Sequence, residues 1–359
     1  MMMIILAGIM SLFFAMNIGA SGAAASLGVA YGSGAIPSKR HALLLCGVAI
    51  FLGAFLGGSE VVKTIGEDLI PSSLLDAKIV LIILSSAAIS LFIANLMGIP
   101  LSTSEITVGS VVGVGVAYKS LFIGHILWIV FFWIFIPFIS FGIAWAAGKL
   151  IIRAERKYTW LKESKAQRYL SIFVIVVGFF EAFSAGMNNV ANAVGPMVGA
   201  NLITMSSGIL IGGLAISVGA ILLGGRVLQT NGKKIVKFSK LEGGFISGIG
   251  ATLVTIASIF GLPVPLTQVT STAIMGIGVS KNGMGLFKKQ MIHRIIKVWI
   301  VSPVLSLVIS YCLVQLFVKN DFYNVMVLTS VCIATLGILS LVKSIKEDSR
   351  SVYEDGGGI

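Results

Sequence analysis

The sequence predicts an all-α polytopic membrane protein, built as two inverted repeats with broken helices and re-entrant-type hairpins in about 10–12 membrane segments. Of its 359 residues, 57% are hydrophobic and only 11% are charged, with 42 glycines. An average soluble protein has about a quarter charged residues, so this composition excludes a soluble enzyme, a secreted domain and a disordered chain. The apolar runs are long and do not alternate with period two, which favours helices over a barrel. The third observation is that the two halves of the chain resemble each other.

The net charge of +12 does not indicate a nucleic-acid partner. The basic residues lie in short loops between apolar runs, chiefly in 153–168, 233–240 and 281–294. By the positive-inside rule these loops are expected in the cytoplasm, and the acidic loop 66–77 outside. We therefore expect a multi-pass protein of the cell (plasma) membrane, with its N-terminus outside and its C-terminus cytoplasmic. The lipid bilayer is its expected surrounding.

The lengths of the apolar runs suggest which segments cross the membrane. The runs cover 4–34, 40–64, 77–98, 103–118, 121–150, 169–200, 204–228, 241–262, 267–281, 291–318 and 323–343. A crossing helix needs about 20 apolar residues. Because 103–118 and 267–281 are shorter and follow proline-containing breaks, 77–118 and 241–281 are predicted to form hairpins that return to the side they entered. The runs 4–34 and 169–200 are too long for one straight crossing and are predicted to be broken helices.

Three motifs recur in the same order in both halves. Residues 16–28 align with 183–195, residues 58–64 with 224–230, and residues 98–105 with 261–268, at offsets of 167, 166 and 163. The charges of the corresponding loops are opposite, which an inverted repeat would produce. The chain is predicted to comprise a first inverted repeat over 1–150, a basic cytoplasmic linker over 151–168, a second inverted repeat over 169–318, an extra C-terminal transmembrane helix over 319–343 and a cytoplasmic tail over 344–359.

The second copy of the first motif, Gly186-Met187-Asn188-Asn189-Val190-Ala191-Asn192-Ala193, resembles the GANDVANA signature of the inorganic phosphate transporter (PiT) family. Residues 98–105 and 261–268 are similar to the family's PVSTTH-type hairpin tips. The phrases NIGASGAAAS, IPLSTSE and EAFSAGMNNVANAVGP are most similar to the Bacillus-type sulfate permease branch of that family. The resemblance implies an inverted-repeat, ion-coupled symporter of tetrahedral oxyanions that often forms a homodimer.

Two departures from the family pattern bear on the substrate. Gly22 and Asn189 stand where the family has an acidic residue, and Glu105 and Gln268 replace the hairpin histidine. Sulfate carries no proton at neutral pH and only accepts hydrogen bonds, whereas phosphate retains a proton that a carboxylate could accept. Loss of both carboxylates therefore favours sulfate over phosphate.

An anion inside a bilayer has to be surrounded by hydrogen-bond donors, and helix N-termini provide unpaired N–H groups. Four helix starts are predicted to converge, one in each signature and one at each hairpin tip. Their hydroxyl and amide side chains are the candidate anion ligands. The alternative is that these side chains cap helices or form hydrogen bonds between helices. The predicted substrate-binding residues are Asn17, Ser21, Gly22, Ser102, Thr103, Ser104, Asn188, Asn189, Asn192, Thr267 and Gln268.

Ionisable residues within apolar runs are candidates for ion coupling. Glu60, Glu105 and Glu181 qualify, and Arg226 stands opposite Glu60 in the repeat as a charge partner. Glu105 and Glu181 adjoin the motifs and are the predicted proton carriers. Glu60 and Arg226 could equally form a structural salt bridge.

The sequence thus predicts a symporter that imports sulfate, coupled to protons. The alternatives are a sodium-coupled inorganic phosphate transporter and, from another class, an anion channel. An enzyme is not expected, because the sequence has no HExxH motif, Gly-x-Ser-x-Gly elbow or Cys/His cluster. No cofactor and no metal site are expected either.

Overall fold

The structure is a computed structural model that describes residues 1–97, 101–225, 228, 238–288 and 290–330. The chain divides into two compact units, Met1–Tyr311 and Cys312–Ile359. Within the second unit, the described part comprises the end of a long helix and a helical run over 322–330. Most of the predicted C-terminal helix and the whole predicted tail therefore lie outside the described residues.

All regular elements in the described part of the chain are helical, which confirms the predicted fold class. The helices of the first half are α1 Met2–Ile18, α2 Ala24–Gly32, α3 Lys39–Gly57, α4 Ser59–Glu67, α5 Ala77–Met97, α6 Thr103–Tyr118 and α7 Ile123–Lys157. Those of the second half are α8 Ser164–Gly199, α9 Met205–Leu223, α10 Lys240–Ile259, α11 Leu266–Asn282 and α12 Gln290–Phe317. A π-helical segment, Gly19–Ala23, joins α1 to α2.

Among the described residues, eight helical stretches are long and apolar enough to cross a membrane. The lipid bilayer favours helices, because a chain inside it must satisfy its backbone hydrogen bonds internally. Packed neighbours also allow proline inside such helices, here Pro137, Pro196 and Pro303. The helices α6 and α11, of 16 and 17 residues, fall short of the length of a full crossing.

Neither of the two predicted broken helices comes apart. The first long run changes to π-helical geometry over Gly19–Ala23 but stays one helical stretch, Met2–Gly32. The second run is not broken, because α8 continues through the whole signature from Ser164 to Gly199. The side chains of Asn188 and Asn192 in α8 bond to other elements and leave the helical backbone ladder intact.

Two further boundaries differ from the predicted ones. The linker 151–168 is largely helical, since only 158–163 separate α7 from α8. The run 40–64 is divided at Gly58, where α3 ends and α4 begins. Gly58 keeps helical backbone angles, so the division is a local interruption and not a loop.

Two helix crossings in the core correspond between the halves. Gly186 of α8 lies against the backbone carbonyl of Ile50 in α3, and Gly19 lies against that of Ile216 in α9. The two glycines are 167 residues apart and the two isoleucines 166 apart, so each crossing pairs equivalent positions. Small residues are the usual means by which membrane helices approach closely.

The short helices α6 and α11 pack onto the opposite half. Gly113 of α6 meets the Leu307 carbonyl in α12, while Gly276 of α11 meets the Phe141 carbonyl in α7. These contacts again join equivalent positions, at offsets of 163 and 166. Each short helix therefore lies against the last long helix of the other half.

Candidate functional site

The first turn of α6 meets the middle of α8 in a buried network of side chains. Ser102 caps α6 by accepting a hydrogen bond from the Glu105 amide. This cap directs Thr103 and Ser104 toward α8. Thr103 Oγ1 donates to Asn189 Oδ1 at 2.9 Å, and Ser104 Oγ lies 3.1 Å from Asn188 Oδ1.

Asn192, one turn further along α8, completes the network. Its Nδ2 lies 3.4 Å from both Thr103 Oγ1 and Ser104 Oγ, and 3.2 Å from Asn189 Oδ1. Its Oδ1 is buried without a hydrogen-bond partner among the described residues. We call these five buried, uncharged side chains the amide–hydroxyl cluster: Thr103, Ser104, Asn188, Asn189 and Asn192.

The second hairpin tip reaches the same cluster through the loop between α10 and α11. Asn188 Nδ2 donates to Ser258 Oγ at 3.1 Å and to the Leu262 carbonyl at 3.0 Å. Ser104 Oγ also lies 3.2 Å from the Val264 carbonyl, and its single proton can serve only one acceptor at a time. Both hairpin tips thus converge on one turn of α8.

Next to the cluster, Glu105 and Gln268 join the two short helices. They occupy the third position of α6 and of α11, and they are equivalent in the repeat. Gln268 Nε2 donates to Glu105 Oε1, and Ser302 Oγ of α12 donates to Glu105 Oε2. Glu105 is 1% exposed, so a carboxylate from the first half is buried and held by two donors from the second.

Glu181 lies two turns before Asn188 on the same face of α8, about 10 Å along the helix axis. It is fully buried. Thr270 Oγ1 of α11 donates to Glu181 Oε1 at 2.8 Å, and Ser247 of α10 adjoins the same carboxylate. The structure therefore buries both predicted carboxyl groups, with Glu105 next to the amide–hydroxyl cluster and Glu181 two turns away along α8.

The first signature does not reach this cluster through any hydrogen bond that the described residues show. Asn17 Nδ2 donates to the Phe13 carbonyl at 2.9 Å, and Ser21 Oγ lies 3.3 Å from the Ile18 carbonyl, so both satisfy their own helix. Gly22 lies in the π-helical segment and contributes only backbone. Thr267, in the first turn of α11, has a buried hydroxyl with no partner in the described part of the chain.

The expected convergence of four helix starts is wrong in two places. The α8 helix runs through 186–188, and Gly19–Ala23 continues α1 into α2, so neither signature begins a new helix. Backbone N–H groups inside a continuous helix are already bonded and cannot bind an anion. Only α6 and α11 present free N-terminal turns here.

Glu60, another predicted ion-coupling residue, shows no hydrogen bond to the cluster in the described part of the chain. It lies at the start of α4 and pairs with Lys63 at 3.0 Å, and both side chains are about half exposed. An exposed pair within one helix turn gives no support to the predicted coupling role. Arg226 lies outside the described residues.

Three polar partners were missed by sequence reasoning. Ser258 anchors Asn188, Ser302 holds Glu105, and Thr270 holds Glu181. The repeat contains a signal for Ser302, since the position 166 residues earlier is the apolar Ile136. Equivalent positions of the two halves thus differ in polarity at Ser302, as they differ in charge at Glu105 and Gln268. This shared asymmetry was the available signal that Ser302 belongs with Glu105.

Comparison with known proteins identifies the family of the chain. The model of the phosphate transporter family (PHO4) matches residues 18–310, which contain the cluster and both buried carboxyl groups. The chain belongs to the phosphate transporter family. As a family member with eight candidate spans in its described part, it is a multi-pass membrane protein.

Other members of the phosphate transporter family resemble the chain over most of its length. It is 58% identical over 349 residues to the sulfate permease CysP of Bacillus subtilis (strain 168), covering 97% of this chain and 98% of that protein. It is 30% identical over 385 residues to a putative phosphate permease of Pyrococcus abyssi (strain GE5 / Orsay), covering 84% and 94%. A solved structure titled "The sodium-dependent phosphate transporter" shares the fold with a TM-score of 0.76 at 23% identity, covering 88% of this chain and 99% of that one.

Proposed function

We propose that this protein imports inorganic sulfate as a secondary active symporter coupled to protons. The observation that carries the proposal is the amide–hydroxyl cluster, which sits at the N-terminal turn of α6 and has no carboxylate among its five members. The 58% identical relative is named a sulfate permease, which supports the same substrate.

The chemistry of the cluster suits an anion that only accepts hydrogen bonds. The hydroxyls of Thr103 and Ser104 lie within bonding distance of the asparagine side-chain oxygens, with Asn192 Nδ2 beside them. An entering sulfate would replace the amide oxygens as acceptor, and the N-terminal turn of α6 would add favourable partial charge. Asn189 stands at the family's acidic position, so no carboxylate at that position repels a dianion.

Proton coupling follows from the two buried carboxyl groups and from the electrical cost of the substrate. Moving charge against the membrane potential costs about 2.3 kcal/mol per elementary charge per 100 mV, and sulfate carries two charges. At least two co-transported protons would cancel this cost, and a third would let the potential assist uptake. Glu105 and Glu181 are buried beside the cluster and are the proposed carriers.

The reciprocal crossings of equivalent residues support an inverted repeat over 1–150 and 169–318. With the positive-inside rule, the proposed topology has the N-terminus outside and the C-terminus in the cytoplasm. A homodimer is proposed from the family resemblance alone.

The test is uptake of radiolabelled sulfate into proteoliposomes under separate proton and sodium gradients. We expect accumulation with an inward proton gradient, and better competition by thiosulfate or selenate than by phosphate. Phosphate competing as well as these anions, together with dependence on sodium, would support the sodium-coupled phosphate alternative. Equilibration without accumulation under every gradient would support a channel.

A further inference from the structure

A cavity of about 680 Å³ lies among α6, α7, α11 and α12. Cavities that bind small organic molecules measure about 300–1,000 Å³, so this volume suits a ligand of that size. Its walls are almost entirely apolar, and its polar side chains are grouped around Glu105 and Gln268. It is separate from the amide–hydroxyl cluster, none of whose members lines it.

The walls of the cavity come in equivalent pairs from the two halves. Trp133 of α7 and Trp299 of α12 are 166 residues apart, and so are Pro137 and Pro303. The cavity therefore lies between the exchanged short helices and their long partners. At the polar end of the cavity the equivalent residues differ, because the first half contributes the ionisable Glu105 and the second half the neutral Gln268.

The mouth of the cavity opens between α7 and α12. The lining residues Phe138 and Val304 are 72% and 55% exposed, and each lies about midway along its helix. A side chain on the outer surface midway along a membrane-spanning helix lies at the depth of the hydrocarbon core. A molecule that enters this cavity must therefore come from the bilayer and have an apolar body.

The inner end of the cavity requires a different chemistry. Glu105 is buried and receives hydrogen bonds from the neutral donors Gln268 and Ser302. No basic side chain lines the cavity among the residues whose side chains the structure describes, which in α12 excludes 290–296 and 298. A buried carboxylate without a cationic partner is costly, and a charge-assisted hydrogen bond would offset that cost.

We propose that this cavity binds lipophilic amines from the bilayer, with the apolar body between α7 and α12 and the protonated nitrogen at the Glu105 carboxylate. Occupancy would also arrest transport, because Glu105 follows Ser104 of the amide–hydroxyl cluster and bridges α6 to α11 and α12. The site does not depend on which anion the protein carries.

The test uses three molecules that share the same two cyclohexyl rings. Dicyclohexylcarbodiimide reacts with a protonated carboxyl group in an apolar setting: a carboxyl oxygen bonds to the central carbon and its proton moves to a nitrogen. The acyl group then migrates to nitrogen and nothing leaves, so the labelled peptide gains the mass of the whole reagent. Dicyclohexylamine is the cationic competitor, and dicyclohexylurea is the neutral one.

The full-length protein in lipid vesicles is treated with the carbodiimide in mildly acidic buffer, and the masses of its peptides are measured by mass spectrometry. We expect label on Glu105, and none on that peptide in Glu105→Gln. Dicyclohexylamine should slow labelling about tenfold, the effect of one hydrogen bond to a charged group, while the urea slows it much less. Dicyclohexylamine should inhibit uptake over the same concentration range.

Val304→Trp should fill the mouth and slow labelling. Val301→Trp is the matched control, since Val301 is 57% exposed on the same helix but does not line the cavity. Equal labelling of the two variants, or equal protection by amine and urea, would overturn the proposal. So would the absence of Glu105 label in vesicles, which would mean that lipid or a second copy covers the mouth.

Discussion

At the scale of single residues, the site contains two kinds of polar group, uncharged hydrogen-bonding side chains and separate carboxyl groups. The amide–hydroxyl cluster contains only hydroxyl and amide side chains, which bond to one another and to the loop between α10 and α11. Glu105 adjoins the cluster and Glu181 lies two turns from Asn188 along α8, and each accepts from donors of the second half. In the proposed function, the neutral groups bind the anion and the carboxyl groups compensate its charge.

Thr103→Val should weaken sulfate binding by about tenfold or more, because it removes a buried donor and leaves Asn189 Oδ1 with one donor fewer. Thr107→Val is the matched control on the same helix, since Thr107 Oγ1 donates only to the Thr103 backbone carbonyl at 3.0 Å. Binding of labelled sulfate to purified protein measures both. Equal losses in the two variants would show that the helix, and not the Thr103 hydroxyl, is what matters.

Glu105→Gln and Glu181→Gln should reduce gradient-driven uptake far more than sulfate binding, because each removes a proton carrier while keeping the side-chain shape. Uptake by the parent should rise as the external pH falls, and this response should weaken in both variants. Glu60→Gln is the control, since Glu60 is exposed and pairs with Lys63. Uptake that follows a sodium gradient and ignores pH in parent and variants alike would show that both carboxyl groups are structural.

At the scale of helices, the site is positioned by close crossings of long helices and by the exchange of short ones. The α8 helix carries Glu181 and the cluster asparagines in one rigid stripe, and it crosses α3 at Gly186 with backbone almost touching backbone. The short helices α6 and α11 contact that stripe near their N-terminal ends, α6 through Ser104 and α11 through Thr270. A change at the crossing should therefore disturb the cluster without altering any polar group.

Gly186→Ala should destabilise the protein by about 1–3 kcal/mol, because the added methyl group would overlap the Ile50 carbonyl in a crossing that has no room. Gly142→Ala is the comparison, since a methyl group on Gly142 of α7 meets nothing within 4 Å. Thermal unfolding of the purified proteins in detergent measures the difference. Similar melting temperatures for both variants would mean that α3 and α8 can separate at little cost.

At the scale of the whole molecule, equivalent contacts in the two halves support a pseudo-symmetric carrier. The pairing of Gly19 with Ile216 repeats that of Gly186 with Ile50, and Gly113 and Gly276 make equivalent contacts with the opposite halves. The symmetry fails at the polar centre, where Glu105 faces Gln268. The helix packing of such a carrier can be symmetric while its ionisable residues differ between equivalent positions of the two halves.

The proposed inversion predicts opposite sides for two loops that are equivalent in the repeat. In a background without the three native cysteines, Ser72→Cys should react with an impermeant maleimide applied to whole cells. Lys234→Cys should react only after the cells are permeabilised, because the lysine loop is expected in the cytoplasm. Labelling of Lys234→Cys in intact cells would overturn the inverted arrangement.

The sequence by itself determined the membrane class, most of the helices and one motif in each half whose side chains lie together in the structure. Lipid leaves the backbone no alternative to internal hydrogen bonding, so long apolar runs predict helices reliably. The motifs at 102–105 and 188–192 were predicted as site residues, and the structure brings their side chains together.

Only the tertiary structure decided which polar residues join the cluster and whether a helix breaks. Asn17 bonds to its own helix, whereas Asn188 bonds to Ser258 and the Leu262 carbonyl, about 70 residues along the chain. Both asparagines have the same local sequence character, so the difference arises from the neighbours that packing supplies. The continuity of α8, the Ser302 contact and the cavity beside Glu105 likewise depend on which helices lie together, and helix propensity carries no information about that.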